Sequence, residues 1–469
     1  MLNLKSQNNR FNLLILISLI LITLTIRTMM NFSSELISGV NGAYYPLQVR
    51  LVLETGYLGF ADMPFLFYFD ALIIKLLQFL GFSLTDSLII NTVKLIDSIS
   101  FVLIAIPVYK LLNYLYSKPK PVFTLAIISF SLLSFTPMIL ISDLQKNSLA
   151  MIFAMFFIYY YFKYIENHKL KNIIFTLIFL ILTGLTHFGT LTFSILILSI
   201  NLIYHFRKKA IIPVLIFIAS SLIMINYFDY KRYDRLFMFW NSIFEKPLLF
   251  SGFIPPPELI SFIFSYTLSI LAFYLVWKKG NEISKNYRGI LISSALSLLI
   301  LCFPLLDFDY FRRLSIFALI PELLILIFVA EMITFKGLKT ISIALFIYTG
   351  LSIIAVSGKP KSPMLTVKEL HDLENIDKYL LKDKKNTLIV TSHGIEWWVA
   401  WSLKTKIAQD KAFKRDLTAK YKQIVFLIQK QKRNELNIGP PIHKTKIPPN
   451  SNLIYDSEYF IAYELSQSQ

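Results

Sequence analysis

The chain has 469 residues, 55% of them hydrophobic and only 16% charged, against about 45–50% and about 25% in ordinary soluble proteins. Its apolar residues fall in runs of about 17–22, each long enough to cross a hydrocarbon core about 30 Å thick, which excludes a soluble enzyme. The net charge of +18 would suggest nucleic acid in a soluble protein, and the single cysteine, Cys302, sits inside an apolar run, excluding a disulfide scaffold or a zinc cluster.

The first run, residues 12–29, follows Lys5 and Arg10. It is too long for a signal-peptide core and has no small-residue cleavage site after it, so it reads as an uncleaved first span. A long loop, about 30–90, comes next. Within it PFLFYFDALIIKLLQFLGF (64–82) carries Asp70 and Lys75 near its middle, where a charge costs about 2.5–3.5 kcal/mol in the bilayer. We therefore expect an amphipathic helix lying on the membrane surface. Later runs at 92–115, 121–141, 147–164, 172–186, 188–204, 210–227, 259–277, 289–306, 314–334 and 339–356 bring the expectation to about eleven transmembrane helices.

Sidedness follows from the basic loops. With 64–82 on the surface, Lys5 and Arg10 share a side with Lys110, Lys118 and Lys120, with Lys163, Lys169 and Lys171, and with Arg207, Lys208 and Lys209. Counting 64–82 as a span would move the Lys110, Lys118 and Lys120 loop across the membrane and leave the basic loops inconsistent. The N-terminus is accordingly placed in the cytoplasm and the chain after 357 outside. The +18 thus becomes largely an orientation signal, and nucleic acid drops out as a partner.

From 357 to 469 the chain turns polar. A helix around 366–381, a strand TLIVTSH (387–393), a Trp-rich helix near 395–408, and strands IVFLI (424–428) and LIYDSEYFIAY (453–463) predict a small soluble α/β domain. The fold class expected is an α-helical polytopic membrane domain, 1–356, with this α/β domain on the outer face.

That orientation gathers polar residues on one face: Tyr44, Tyr45, Arg50, Glu54, Asp62 and Asp70 in the first loop, Asp143 and Lys146 in the second, His187 in the THFGT turn, and Asp307, Asp309, Arg312 and Arg313 in DFDYFRR. Each has a plainer reading. Asp62 can cap the helix after it, Asp143 can be a turn residue, Arg312 and Arg313 can snorkel, and His187 can be an interhelical hydrogen-bonding residue. Asp307 and Asp309 form a DxD that suits a divalent cation, Mg or Mn. Lys94 and Asp97, three apart on one helix, are expected to pair. Taken together, the carboxylates and cations suit group transfer from a lipid-linked phosphate, with a carboxylate as base and Arg or Lys stabilising the leaving phosphate.

The layout resembles the GT-C class of integral-membrane glycosyltransferases, which use polyprenyl-phosphate or polyprenyl-diphosphate sugars. NGAYYPLQVRLVLETGYL (41–58) is similar to the first loop of oligosaccharyltransferase catalytic subunits, where an acidic residue precedes an aromatic pair, and Asp143 occupies the place of their second acidic motif. The chain departs from that pattern at Asn41, Gly42 and Ala43, where neither an amide nor glycine can serve as base, and WWVAW (397–401) lacks the acid and glycine of the acceptor motif. The resemblance implies transfer of a sugar from a polyprenyl-linked donor in the membrane lipids to a glycan, lipid or protein acceptor. It implies Asp62 as the catalytic base and Asp143 as the second acidic group, Lys146, Arg312 and Arg313 as phosphate partners, and Tyr44, Tyr45, Arg50, Glu54 and His187 as further substrate contacts. The competing class is a non-catalytic or flippase protein of glycan assembly. Transporters carry repeats and paired broken spans, and Pro107, Pro137 and Pro321 show no paired pattern.

Overall fold

The computed structural model describes residues 2–116, 119–230, 232–250, 256–357, 362–410, 413, 420–430 and 447–466. Lys118, and the point near 357–361 where the sequence turns polar, fall at least in part outside the described residues. Each of the eleven apolar runs is helical. The first is α1 (Leu2–Asn31), and the first loop then forms α2 (Tyr44–Thr55) and α3 (Phe65–Phe79). The bundle continues with α4 (Asp86–Val102), α5 (Ala105–Leu115), α6 (Pro121–Leu133), the short α7 (Phe135–Ile139), α8 (Gln145–Asn167), α9 (Leu170–Thr186), α10 (Phe188–Phe206) and α11 (Ile211–Phe228). After α12 (Arg232–Ser242) come α13 (Pro256–Lys279), α14 (Lys285–Leu301), α15 (Phe308–Ser315), α16 (Leu319–Val329) and α17 (Phe335–Ser357).

Among the described residues, seven helical segments are long and apolar enough to cross a membrane by themselves, and the chain is a multi-pass membrane protein. One of the seven, Phe188–Phe228, is 41 residues long and is broken into α10 and α11 at Arg207, whose φ is 51°. The surface of α1 and α17 is apolar and open, with Leu14, Leu21, Ile347 and Ile354 exposed, as lipid contact requires. By contrast α16 is buried along its whole length and apolar except for Glu322, which accepts from Ser265 Oγ at 2.6 Å, as an element at the centre of a bundle must be. Helix ends follow local chemistry: Thr85 accepts the Leu88 N–H at 3.1 Å to start α4, and Pro121 opens α6. The 15 residues of α3 end before Gly81, which takes φ 96°. Leu66, Phe67, Asp70 and Ile74 form its buried face.

The expected Lys94–Asp97 pair does not form. Asp97 is instead the counter-ion of Arg27 on α1, at 3.5 Å, both side chains almost completely buried, and it also accepts from Asn31 Nδ2 at 2.9 Å and the Ser142 N–H at 2.9 Å. Lys94 turns the other way and donates to the carbonyls of Ser34 and Glu35 at 2.6 and 2.8 Å. The reason is that three residues along a helix bring two side chains near, whereas Arg27 and Asn31 offer a buried carboxylate several donors at once. This network joins α1, α4 and the α7–α8 turn.

The C-terminal part begins with α18 (Val367–Asn375), opened by a capping box of Thr366 and Glu369. It continues through β1 (Thr387–Thr391), α19 (Glu396–Leu403), β2 (Lys406–Gln409), β3 (Gln423–Gln429), β4 (Ser451–Asp456) and β5 (Phe460–Leu465). The sheet order is β2-β1-β3-β5-β4, with β1 parallel to both neighbours and β3, β5 and β4 antiparallel. Two elements differ from expectation. The Trp-rich helix stops at Lys404, which adopts φ 53°, and residues 406–409 become an edge strand. The single strand expected at 453–463 is a hairpin, because Ser457 Oγ accepts the Phe460 N–H at 3.0 Å and reverses the chain.

Candidate functional site

The loop between α2 and α3 carries Asp62, and Gln48 fixes that loop. Its Oε1 accepts the N–H groups of Gly59 and Phe60 at 3.0 and 3.1 Å, and its Nε2 donates to the Phe60 carbonyl at 2.8 Å. Asp62 is 5% exposed and does not cap α3, whose N-cap position is Pro64. Its carboxylate accepts from Tyr44 Oη at 2.5 Å, from Lys146 Nζ and from the Met63 N–H at 2.8 Å. Arg232 lies 3.6 Å away. Burial alone would push this carboxyl up, but Lys146, its hydrogen bond, the Tyr44 hydroxyl and Arg232 outweigh burial and hold it at about 2. Asp62 is thus a fixed negative charge and a weak proton acceptor. Arg232 was not singled out by sequence; its signal is Asp229 three residues earlier, with which it pairs at 2.7 Å.

Asp143 belongs to the α7–α8 turn. There Ser142 holds the left-handed φ of 69°, fixed by the Asp97 bond and by its hydroxyl donating to Asn31 at 2.5 Å. The Asn41 N–H donates to Asp143 Oδ1 at 2.7 Å, and Tyr45 Oη donates to the Asp143 carbonyl at 3.2 Å. Gly39, at φ 92°, makes the approach feasible, since a Cβ there would sit 2.6 Å from that of Asp143. His187 caps α10, its Nδ1 accepting the Thr190 N–H at 3.2 Å. Burial, then Lys146 and Arg232, push it down to about 3, so it stays neutral.

A groove of about 410 Å³ opens beside this turn. Met29 and Met30 of α1, Phe135, Met138 and Ile139 of α7, and Ala355 and Val356 of α17 make it largely apolar, while Ser33, Ser38, Ser142 and Arg312 are its polar lining. The Arg312 guanidinium pairs with Glu258 at 3.1 Å. Asp62 is not among the lining residues, so of the expected residues Arg312 lines the groove while Asp62 and Lys146 form a buried cluster with Arg232, and Asp143 follows the groove residue Ser142 in the chain.

Other expected residues sit elsewhere. Arg50 pairs with Asp86 at 2.5 Å, donates to the Trp401 carbonyl at 2.7 Å and lies 3.2 Å from the centre of the Trp401 ring. It is a clamp between the first loop and α19. Glu54 is exposed. Asp307 accepts the Asp309 N–H at 2.9 Å and so caps α15. Burial pushes the Asp70 carboxyl well up, both oxygens lacking a hydrogen-bond partner. On α19, Trp397 packs edge-on to Tyr44, centroids 4.8 Å apart, and to Phe60 at 5.1 Å. The WWVAW segment is therefore the surface by which the C-terminal part covers the Asp62 loop.

The donor set does not fit a divalent cation as it stands. Among the described residues no three His, Cys, Asp or Glu side chains come together as ligands, and both Asp62 oxygens already face cations or N–H groups. A hard cation needs several oxygen ligands.

No family model matches the chain, and no curated protein matches it. Solved structures do. The apo oligosaccharyltransferase of Archaeoglobus fulgidus superposes with a TM-score of 0.58 at 11% identity, over 87% of this chain and 69% of that one. The chain has the GT-C fold. The same enzyme tethered to an acceptor peptide containing the NVT sequon matches at 0.56 and 10% identity, over 87% and 68%. The archaeal oligosaccharyltransferase AglB, from the same organism, with an inhibitory peptide and a dolichol-phosphate matches at 0.51 and 11%, over 88% and 69%. Within this fold Asn41 contacts Asp143 through its backbone N–H.

Proposed function

We propose that this protein is a membrane glycosyltransferase that moves a sugar from a polyprenyl-phosphate-linked donor to an acceptor on the outer face. The observation that carries the reading is the groove: its lining combines apolar side chains from three helices with one guanidinium and three serines. An apolar channel with a cation and hydroxyls in its lining has the polarity profile of a prenyl chain with a phosphate head. Lipid access is provided by the open apolar surfaces of α1 and α17. The neighbouring structures with a dolichol-phosphate and with an acceptor peptide support the same donor and acceptor layout.

In this reading Arg312 holds the phosphate. The acceptor oxygen or nitrogen bonds to the anomeric carbon, and the bond from that carbon to the phosphate oxygen breaks, its electron pair staying on the phosphate. Lys146 and Arg232, anchored by Asp62, supply fixed positive charge beside the transfer site. Binding of a short-chain polyprenyl phosphate to the purified protein tests the groove. Arg312→Ala, or Ala355→Trp to fill the channel, should each weaken binding about tenfold or more. Unchanged binding in both variants, together with unchanged cellular glycan and glycolipid profiles in Asp62→Asn and Asp143→Asn, would overturn the assignment.

A further inference from the structure

With Asp62 locked between Lys146 and Arg232, the transfer lacks an obvious proton acceptor, and a different group meets the requirements. His393 lies directly after β1, in the segment leading to α19. The chain runs from β1 through α19 to β2 on one side, while β3 flanks β1 on the other, both parallel. His393 therefore stands just past the carboxyl end of β1, where strand order reverses, the place at which open α/β sheets bind their ligands.

Its imidazole is oriented. Nδ1 lies 2.8 Å from Glu396 Oε1, and Glu396, itself 1% exposed, also accepts from the Gly394 N–H and from Gln409 Nε2 at 2.8 Å. A buried carboxylate with these donors is an acceptor, so it holds the histidine proton on Nδ1 and leaves Nε2 with its lone pair outward. Gly394 makes the turn feasible with φ 105°, its missing Cβ leaving room for Met364. The His393 side chain is 51% exposed. The hydrogen bond to Glu396 outweighs partial burial and raises its pKa from the ordinary 6.5, and the charges of Asp143 and Arg313 on the bundle also act on it. Gly394 abuts Met364, and Pro363 beside it bridges Gly39, which in turn abuts Asp143, so His393 lies on the side of the molecule that carries Asp143 and Ser38 of the groove.

We propose that His393, positioned by Glu396, is the general base for the acceptor. This rests on the transferase reading above. An acceptor O–H or N–H gives its proton to His393 Nε2 as the acceptor atom bonds to the anomeric carbon, the carbon–phosphate oxygen bond breaks onto the phosphate, and the imidazolium later releases the proton to water. The groups bonded to the imidazole are Glu396 of α19 and Gln409 of β2, and the charges of Asp143 and Arg313 on the bundle act on it from further away.

The experiment measures sugar transfer and polyprenyl-phosphate binding side by side on the full chain. His393→Ala and His393→Asn should lower transfer about 10²–10⁴-fold while donor binding stays at the wild-type value. Glu396→Gln should lower transfer less and move the acid limb of the pH–rate profile to lower pH, a shift that a purely structural loop contact would not produce. Transfer within threefold of wild type in both His393 variants, or an unmoved acid limb in Glu396→Gln, overturns the assignment and leaves the transferase reading standing. Failure of the wild-type chain to bind donor overturns the transferase reading instead, and this base with it.

Discussion

Asp62→Asn and Lys146→Met, separately and together, test the charge balance at the centre of the site. The Asp62 carboxyl has an ordinary value of 3.8 and is held at about 2 in the folded protein, a difference worth about 2.4 kcal/mol at neutral pH. With the group 5% exposed, solvent screening takes little of that away. Because the folded value is the lower one, this stabilisation is fully present above about 3.8 and is lost as pH falls through about 2. Lys146→Met alone should cost about 3–5 kcal/mol, since it leaves a buried carboxylate with only Arg232, 3.6 Å away, as its cation. The double variant should recover part of that loss, with a coupling of about 2 kcal/mol between the two sites. Equilibrium unfolding of the full chain in mixed micelles at pH 7, and again as pH is lowered toward 3, reads the cycle. Coupling below about 0.5 kcal/mol, or a stability gap between wild type and Asp62→Asn that does not narrow on acidification, would refute the ion-pair account.

Two further predictions follow from neighbouring contacts. Arg50→Ala removes a ring contact with Trp401, a hydrogen bond to its carbonyl and the Asp86 pair, and should loosen docking of α19 by on the order of 2–4 kcal/mol; hydrogen exchange across residues 396–403 should rise, and unchanged protection would show that the clamp contributes nothing. Chelator or added Mn²⁺ should leave the melting temperature of the wild-type chain unchanged, because Lys146 and Arg232 already neutralise Asp62; a Mn²⁺-dependent rise that disappears in Asp62→Asn would show an ion displacing Lys146.

The helices were legible because their signal is local: each apolar run was long, and the basic loops punctuated them. Within 64–82 the apolar run announced a helix, which spans Phe65–Phe79 with Asp70 and Lys75 at mid-length. Where the reading failed, the deciding contact lay far along the chain. Lys94 and Asp97 are adjacent on α4, yet each is satisfied by atoms of or just after α1, some 60–70 residues away. In the sheet, the turn at Ser457 depends on one hydroxyl, and the apolar pattern on either side of it reads as one strand. The same holds for the site. Asp62, Asp143 and Lys146 were picked out as polar residues in facing loops, and the fold brings Lys146 onto Asp62. Arg232 and His393 were passed over because neither belongs to a motif: the first is defined by a carboxylate 170 residues earlier, the second by a carboxylate three residues later whose burial no sequence pattern announces.

One departure from the oligosaccharyltransferase pattern and the cations held at Asp62 then have one explanation. Where the resemblance leads one to expect an acid ahead of Tyr44, the chain has Asn41, whose backbone N–H binds Asp143; close by, it places the cations Lys146 and Arg232 against Asp62. Removing a carboxylate and adding cations both move the local charge in the same direction, which is the change expected if side chains rather than an ion neutralise the acid. A carboxylate so neutralised cannot readily take a proton. The same substitution that makes the site self-compensating therefore moves the need for a base outward, to the docked C-terminal sheet, where Glu396 orients His393.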